Sequence, residues 1–179
     1  MDGQWISGSM RYITPRDGAG ADAWREEAET RGHVGTQKLV DVAEVIPPEQ
    51  VRRALGLEHG ATAIVRQRVM YLDRHPVELT DSYYPAAAVR ETPLAQKRKI
   101  RGGAVQALSD LGFIAGHVIE EIESRPPTDT ERSVLELDPS DWVLTLFRTS
   151  LTNDGRPMEA AVMTVPARHQ RLRYELGGV

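Results

Sequence analysis

The chain has 179 residues, of which 40% are hydrophobic, and it carries no cysteine and a formal net charge of -4 at pH 7. This length and apolar share suit one domain with a substantial core, and the acidic balance disfavours direct contact of this chain with nucleic acid. The lack of cysteine excludes disulfides and cysteine-ligated metal. No apolar run reaches the roughly 20 residues of a membrane span, and no signal-peptide core is present, so we expect a soluble, cytoplasmic protein without membrane contact.

The first 22 residues contain several glycines and little periodicity, which predicts a linker or a partly ordered arm before a domain at 23–179. The first half of that domain alternates helical and extended patterns. In chain order we predict a helix at 23–31, a strand at 36–46, a short helix from Pro47 to Leu55, and a hairpin with arms 63–72 and 77–84 around a turn at 73–76.

The second half repeats this alternation. We predict a helix at 104–111, a strand at 117–124, a helix that begins at the capping box of Thr128 and Glu131, and a hairpin with arms 142–152 and 158–165. The Asp154-Gly155 pair is typical of the turn of such a hairpin. Short helices and hairpins in this order predict an α+β fold with a mainly antiparallel sheet and flanking short helices.

One segment of the sequence occurs twice, about eighty residues apart. Both copies run from a short helix through Leu-x-Leu, an apolar strand, a polar turn, a second strand and a closing Pro-Ala. Arg68 of the first copy corresponds to Arg148 of the second, and Glu78 corresponds to Glu159 after one extra turn residue. Such repetition predicts a duplicated supersecondary unit, which allows a pocket with approximate two-fold symmetry.

An arginine in the middle of a predicted strand is the first candidate for a binding site. Strand alternation places Arg68 on one face together with Ile64, Arg66 and Met70. A guanidinium at such a position needs an anionic partner. That partner is either a ligand carboxylate or phosphate, or an acidic side chain such as Glu78.

The second copy supplies two further candidates. Arg148 has the same strand phase as Arg68, so it either joins a two-armed cationic site or pairs with Glu121 or Glu123 across the sheet. A carboxylate beside apolar strand residues is costly unless it is paired. Glu159 therefore contacts a ligand or forms an ion pair with one of the two arginines.

Four stretches of the sequence, taken in order, resemble one protein family: WREEAETRGHVGTQKLVDVAEV, LDRHPVELTDSYYP, EEIESRPPTDTERSVLEL and VLTLFRTSLTNDGRPMEAAVM. They are similar to the UTRA effector-binding domain of GntR-type transcriptional regulators of the HutC subfamily, over residues 24–173. The resemblance implies a chorismate lyase-like fold, a homodimer, no cofactor, and a small effector that modulates DNA binding. It also implies that DNA contact is made by an N-terminal winged helix-turn-helix, which we do not find in this sequence.

The resemblance also implies roles for individual residues. Phosphate-sensing relatives use the arginine at Arg68, and in sugar-phosphate-sensing relatives a glutamate at Glu159 accepts hydrogen bonds from the sugar. The N–H groups of Gly102 and Gly103 at a helix start are further candidates for holding an anion. In place of a second arginine, a second glutamate, a serine and a tyrosine of those relatives, this chain has Met70, Thr80, Gly103 and Val165. We therefore predict an acidic organic effector that is more apolar than a sugar phosphate.

Two other functions fit part of the pattern. A cofactor-free enzyme like chorismate lyase could use Arg68, Arg148 and Glu159 on a dicarboxylate, and a ligand-free dimerisation module would need none of them. The sequence favours the sensor, because it follows the regulator pattern over its length and shows no nucleophile–base motif. The five histidines show no metal-binding spacing, so no metal site is predicted.

Overall fold

Eight strands and five α-helices make up the part of the chain that the structure describes. The structure is a computed structural model, and it describes residues 5–7, 23–168 and 170–174. The elements in chain order are β1 (Trp5–Ser7), α1 (Ala23–Thr30), β2 (Gly35–Val45), α2 (Glu49–Ala54), β3 (Ala63–Leu72), β4 (His75–Pro85), α3 (Ala86–Val89), a 3-10 turn (Pro93–Ala95), α4 (Gly103–Asp110), β5 (Ala115–Arg125), α5 (Asp129–Val134), β6 (Val143–Thr152), β7 (Pro157–Pro166) and β8 (Gln170–Leu172).

Six of the strands form one antiparallel sheet in the order β2-β3-β4-β7-β6-β5. Each half of the chain contributes three neighbouring strands, and β4 and β7 join the halves at the centre. At this junction Asp81 lies opposite Val162, and these two residues are equivalent in the repeat, as are Glu78 and Glu159. Equivalent residues that face each other mark a local two-fold axis. The predicted duplication and the predicted α+β fold are therefore confirmed.

Helices α2 and α5 cover one face of the sheet. Val51 and Leu55 pack against Tyr83 in one buried cluster. The equivalent helix of the second repeat leads into Leu135 and Leu137, which form another buried cluster. Burial of these apolar side chains is the main favourable contribution to stability on this side of the sheet.

The opposite face is covered at its two ends. At one end, the segment 86–110 packs Leu94 and Leu108 against Tyr84. At the other end, α1 packs Trp24 against Met70, and the Trp24 indole N–H donates to a β3 carbonyl at 3.0 Å. We call the part of this face between the two covers the central strip. Its main side chains are those of Arg68, Thr80, Ser82, Leu146, Arg148, Ala161 and Met163.

The first hairpin turn is shorter than predicted. Asp73 and Arg74 alone join β3 to β4, and both have positive φ angles of 49° and 74°, as a two-residue type I′ turn requires. The Asp73 carboxylate supports the turn by accepting from the Val34 N–H at 2.8 Å and contacting the His33 ring at 2.5 Å. His75 therefore belongs to β4, and the predicted turn at 73–76 is wrong.

The other predicted helices and strands are confirmed to within a few residues. The capping box forms as predicted, since the Thr128 hydroxyl accepts from the Glu131 N–H at 3.2 Å and the Glu131 carboxylate accepts from the Thr128 N–H at 2.8 Å. The pattern missed α3, the 3-10 turn and the parallel pairing of β1 with β8.

Most of the predicted N-terminal arm, namely residues 1–4 and 8–22, lies outside the described residues. Within the described ranges, no helix is long and apolar enough to cross a membrane.

Candidate ligand-binding site

Neighbouring strands bring polar side chains from both repeats onto the central strip. Arg68 lies opposite Thr80, and in the adjoining row Ser82 and Arg148 both lie opposite Ala161. Residues that face each other in adjacent strands share a face of the sheet, so the predicted common face of Arg68 and Arg148 is confirmed. Three strand spacings of about 4.8 Å separate β3 from β6, which puts roughly 14 Å between the two arginine backbones.

Arg68 forms no salt bridge with an acidic side chain of the described residues, although its charge opposes the burial-driven rise in the pKa values of the nearby Glu78 and Asp81 carboxyls. One terminal nitrogen, Nη2, donates to the Ser82 hydroxyl at 2.8 Å. Its Nε is buried and has no hydrogen-bond partner among the described residues. The alternative ion pair with Glu78 is not formed. A buried guanidinium N–H without an acceptor is costly, and an anionic ligand would remove that cost.

Arg148 is neutralised within the protein. Its Nε lies 2.7 Å from Glu120 Oε1, and the two side chains are 8% and 10% exposed. The expected partners Glu121 and Glu123 are wrong, because strand alternation turns them to the opposite face, whereas Glu120 lies opposite Arg148 in the register of β5 and β6. The sequence predicted a cationic site with two arginines. In the structure, Arg148 is paired with a carboxylate, and Arg68 forms no salt bridge with a described residue.

Glu159 is held by a tyrosine and not by an arginine. The Tyr84 hydroxyl donates to Glu159 Oε1 at 2.9 Å, so the alternative of an ion pair with Arg68 or Arg148 is not formed. Burial raises the pKa of Tyr84 above its usual range, and the Glu159 charge raises it further. The neighbouring Ser150 lies opposite Glu159, and its hydroxyl is buried without a hydrogen-bond partner in the described ranges.

The equivalent glutamate of the first repeat has a different environment. Val165 stands at the repeat position of Tyr84, so Glu78 has no tyrosine hydroxyl there and instead accepts from Thr80 Oγ1 at 2.5 Å. Burial raises the pKa of the Glu78 carboxyl, while the Thr80 hydroxyl and the charges of Arg148 and Arg68 oppose that rise. The sequence interpretation considered Glu78 only as an ion-pair partner and missed it as a group of the site.

Three of the remaining predicted ligand residues are buried in the sheet, whereas Gly102 is exposed and Gly103 is half-buried. Thr80, Met70 and Val165 are 5%, 7% and 3% exposed, and Met70 packs beneath α1. Gly102 and Gly103 begin α4 with φ angles of 79° and 81°, and the Gly103 N–H already donates to a carbonyl of the preceding turn at 3.1 Å. Contact of these five residues with a ligand stays a prediction.

Sequence reasoning also missed three side chains that shape the site: Arg66, Ser82 and Glu120. Of these three, the sequence indicated only Arg66, because strand alternation places it on the same face as Arg68. Across the described ranges, no group of His, Asp and Glu side chains could hold a metal ion. His169 lies outside those ranges.

Sequence comparisons point to one family. The model of the UTRA domain matches residues 30–171. An uncharacterised HTH-type transcriptional regulator of Streptomyces coelicolor is 33% identical over 138 residues, which make up 75% of this chain and 51% of that regulator. This chain therefore spans about half the length of the curated relative. The predicted resemblance is confirmed.

Solved structures agree with the fold. The effector domain of PhnF from Mycobacterium smegmatis matches with a TM-score of 0.75 and 20% identity, over 92% of this chain and 99% of that chain. The C-terminal domain of the histidine utilization repressor from Pseudomonas syringae pv. tomato matches with a TM-score of 0.67 and 18% identity, over 80% of this chain and 99% of that chain. These likenesses establish the fold.

Proposed function

Since this chain belongs to the UTRA domain family, we propose that it is the small-molecule effector-binding domain of a GntR-type transcriptional regulator of the HutC subfamily. In the full-length protein, effector binding changes how a dimer presents its winged helix-turn-helix domains to DNA. Such coupling requires that the effector bind one arrangement of the dimer more tightly than the other. The proposed partners are therefore an effector, a second copy of the chain, and DNA through a domain outside this chain.

The single observation that supports the binding site is the buried Nε of Arg68, which has no hydrogen-bond partner in the described part of the chain. Arg148 already has Glu120 as its counter-charge. One unbalanced guanidinium favours one acidic group on the effector, because a carboxylate or phosphate accepts from the guanidinium nitrogens with good geometry. Beside Arg68, the buried cluster of Leu146, Ala161 and Met163 favours an apolar portion. These features support an organic acid that is more apolar than a sugar phosphate.

A binding role agrees better with these contacts than catalysis does. A chorismate lyase-like mechanism would need both arginines for a dicarboxylate substrate, yet Arg148 is engaged by Glu120. Our proposal is therefore a domain without enzymatic activity. Incubation of the purified protein with chorismate tests this point, and release of pyruvate would contradict it.

A thermal-shift screen of the purified chain against sugar phosphates, carboxylic acids and apolar acidic metabolites tests the proposal. A ligand at 100 times its Kd adds about 2.7 kcal/mol, which raises the Tm of a chain of this size by roughly 5–10 °C. We expect this shift to disappear in Arg68→Ala and to persist in Arg53→Ala, which removes a 71% exposed arginine on the opposite side of the sheet. A ligand whose shift survives in Arg68→Ala would contradict the proposed site.

A further inference from the structure

Arg66 holds a loop that borders the central strip. The side chain is 5% exposed. Its Nη1 donates to the carbonyls of Leu94 at 2.8 Å and Gln96 at 2.9 Å, and its Nη2 donates to the carbonyl of Arg98 at 2.9 Å. All three acceptors belong to the segment 94–98. The carbonyls of a partly buried segment that begins within a short 3-10 turn need such donors, and a planar guanidinium can serve several of them at once.

The second repeat shows that this strand position does not itself require an arginine. The equivalent residue of the second copy is Leu146, which is likewise 5% exposed. A leucine therefore fills the equivalent position of β6, and what distinguishes Arg66 is its contact with the segment 94–98. Two further contacts fix the segment. Leu94 is fully buried in the cluster that contains Tyr84, and Lys97 Nζ lies 2.8 Å from the Asp41 carboxylate on β2.

The segment lies next to Arg68. Arg66 and Arg68 are two residues apart on one strand and share a face, so their Cα atoms are about 7 Å apart. The segment 94–98 is therefore held by the side chain that neighbours Arg68 on the same strand and the same face. Burial lowers the pKa of the Arg66 guanidinium, and the charge of Arg68 also lowers it. The two cations therefore repel each other, and an anion held by Arg68 reduces that repulsion.

We propose that Arg66 is a positioning residue that holds the segment 94–98 as one wall of the Arg68 site, and that an anion bound at Arg68 strengthens this hold. The effect of the anion rests on the proposed function, whereas the role of Arg66 in holding the segment does not. Arg66 then links ligand occupancy to the order of a loop that leads directly into α4.

Limited trypsin digestion of the full chain tests the first half, because Lys97, Arg98, Lys99 and Arg101 place four cleavage sites in or beside this segment. Mass spectrometry identifies the cut positions. We expect Arg66→Leu to accelerate cleavage at these sites at least tenfold, Arg66→Lys to accelerate it less, and the control Arg53→Leu to leave it unchanged. Unchanged cleavage in both Arg66 variants would overturn the proposal. If Arg66→Leu fails to fold, Arg66→Lys decides.

Inorganic phosphate is the probe for the second half. We expect phosphate to slow cleavage at 97–101 in the wild-type chain severalfold, to have no effect in Arg68→Ala, and to protect Arg66→Lys less than the wild type. Phosphate that binds the wild type, by calorimetry, without slowing cleavage would overturn the coupling. Absence of phosphate binding would count against an anion site at Arg68 and against its effect on the segment 94–98. The digestion without phosphate would still test the role of Arg66.

Discussion

Arg68 and Arg148 occupy equivalent positions in the two repeats, yet only Arg148 has a carboxylate opposite it. Glu120 lies across from Arg148, whereas Leu39 lies across from Arg68. The same backbone arrangement therefore yields a salt bridge in one half and an arginine without a directly paired carboxylate in the other. Because a cation without a paired carboxylate attracts anions more than a neutralised one does, this difference contributes to the asymmetry of the site.

Transfer of the acidic partner to the first repeat is expected to weaken anion binding. Leu39→Glu places a carboxylate across from Arg68, as Glu120 is placed across from Arg148. We expect affinity for an acidic effector, or for phosphate, to fall at least about tenfold, which corresponds to about 1.4 kcal/mol. Isothermal titration calorimetry measures the effect, and Leu39→Gln is the uncharged control. Equal affinities in the two variants would contradict the charge argument.

Removal of the carboxylate from the second repeat is expected to destabilise the fold. Loss of one partner of a buried ion pair typically costs about 3–5 kcal/mol, because the other charge stays buried and unpaired. We expect Glu120→Gln to lose an amount near the lower end of this range in urea unfolding, since glutamine can still accept a hydrogen bond from Arg148. The neighbouring exposed Glu121→Gln serves as the control and should change stability by less than about 0.5 kcal/mol.

The tyrosine–glutamate hydrogen bond is expected to contribute to stability. Tyr84→Phe removes the hydroxyl that donates to Glu159 without changing the size of the buried ring. A hydrogen bond to a charged group contributes about 1.5–3 kcal/mol, so we expect a loss of that order in urea unfolding. Tyr71→Phe, which alters a less buried ring on the other face, should have a smaller effect. Equal effects of the two substitutions would argue against a specific role of this bond.

Acid sensitivity is expected to arise partly from the helix cap at α5. Arg125 hydrogen bonds to Glu131 and, with the Thr128 N–H, lowers the pKa of the Glu131 carboxyl from 4.5 to about 2. Because this pKa is lower in the folded state, the Glu131 carboxylate stabilises the fold at pH values above its unfolded pKa. That contribution is lost as pH falls from about 4.5 to about 2.

Glu131→Gln tests this dependence while keeping a capping residue at the same position. The stability difference between wild type and variant, measured by urea unfolding from pH 7 to pH 2, should shrink as pH falls through this window. A difference that stays constant with pH would show that the charge of Glu131 makes no contribution.

Local patterns were sufficient to predict the framework of the fold. The repeat of helix, strand and hairpin, the capping box at Thr128, and the shared face of Arg68 and Arg148 all depend on residues close in sequence or on strand alternation. The two-residue turn at Asp73 and Arg74 was missed because it places two non-glycine residues at positive φ, which the sequence Asp-Arg-His-Pro does not suggest.

Partners across strands could not be predicted, because they depend on register. An irregularity between Leu39 and Asp41 in β2 and another near the start of β5 each shift the pairing by one residue. A shift of one residue exchanges the side chains on the two faces, so the choice among Glu120, Glu121 and Glu123 was not available from the pattern. The carbonyl partners of Arg66 depend in the same way on the course of a loop without periodicity.

The short parallel pairing of β1 with β8 has a mechanical consequence. β7 contributes Glu159 and Met163 to the face that carries Arg68, and only a few residues separate its end at Pro166 from β8. β8 in turn is joined to Trp5–Ser7. A displacement of β7 by a bound molecule would thus shift β8 through the short segment after Pro166, and β8 would shift β1 through their backbone pairing.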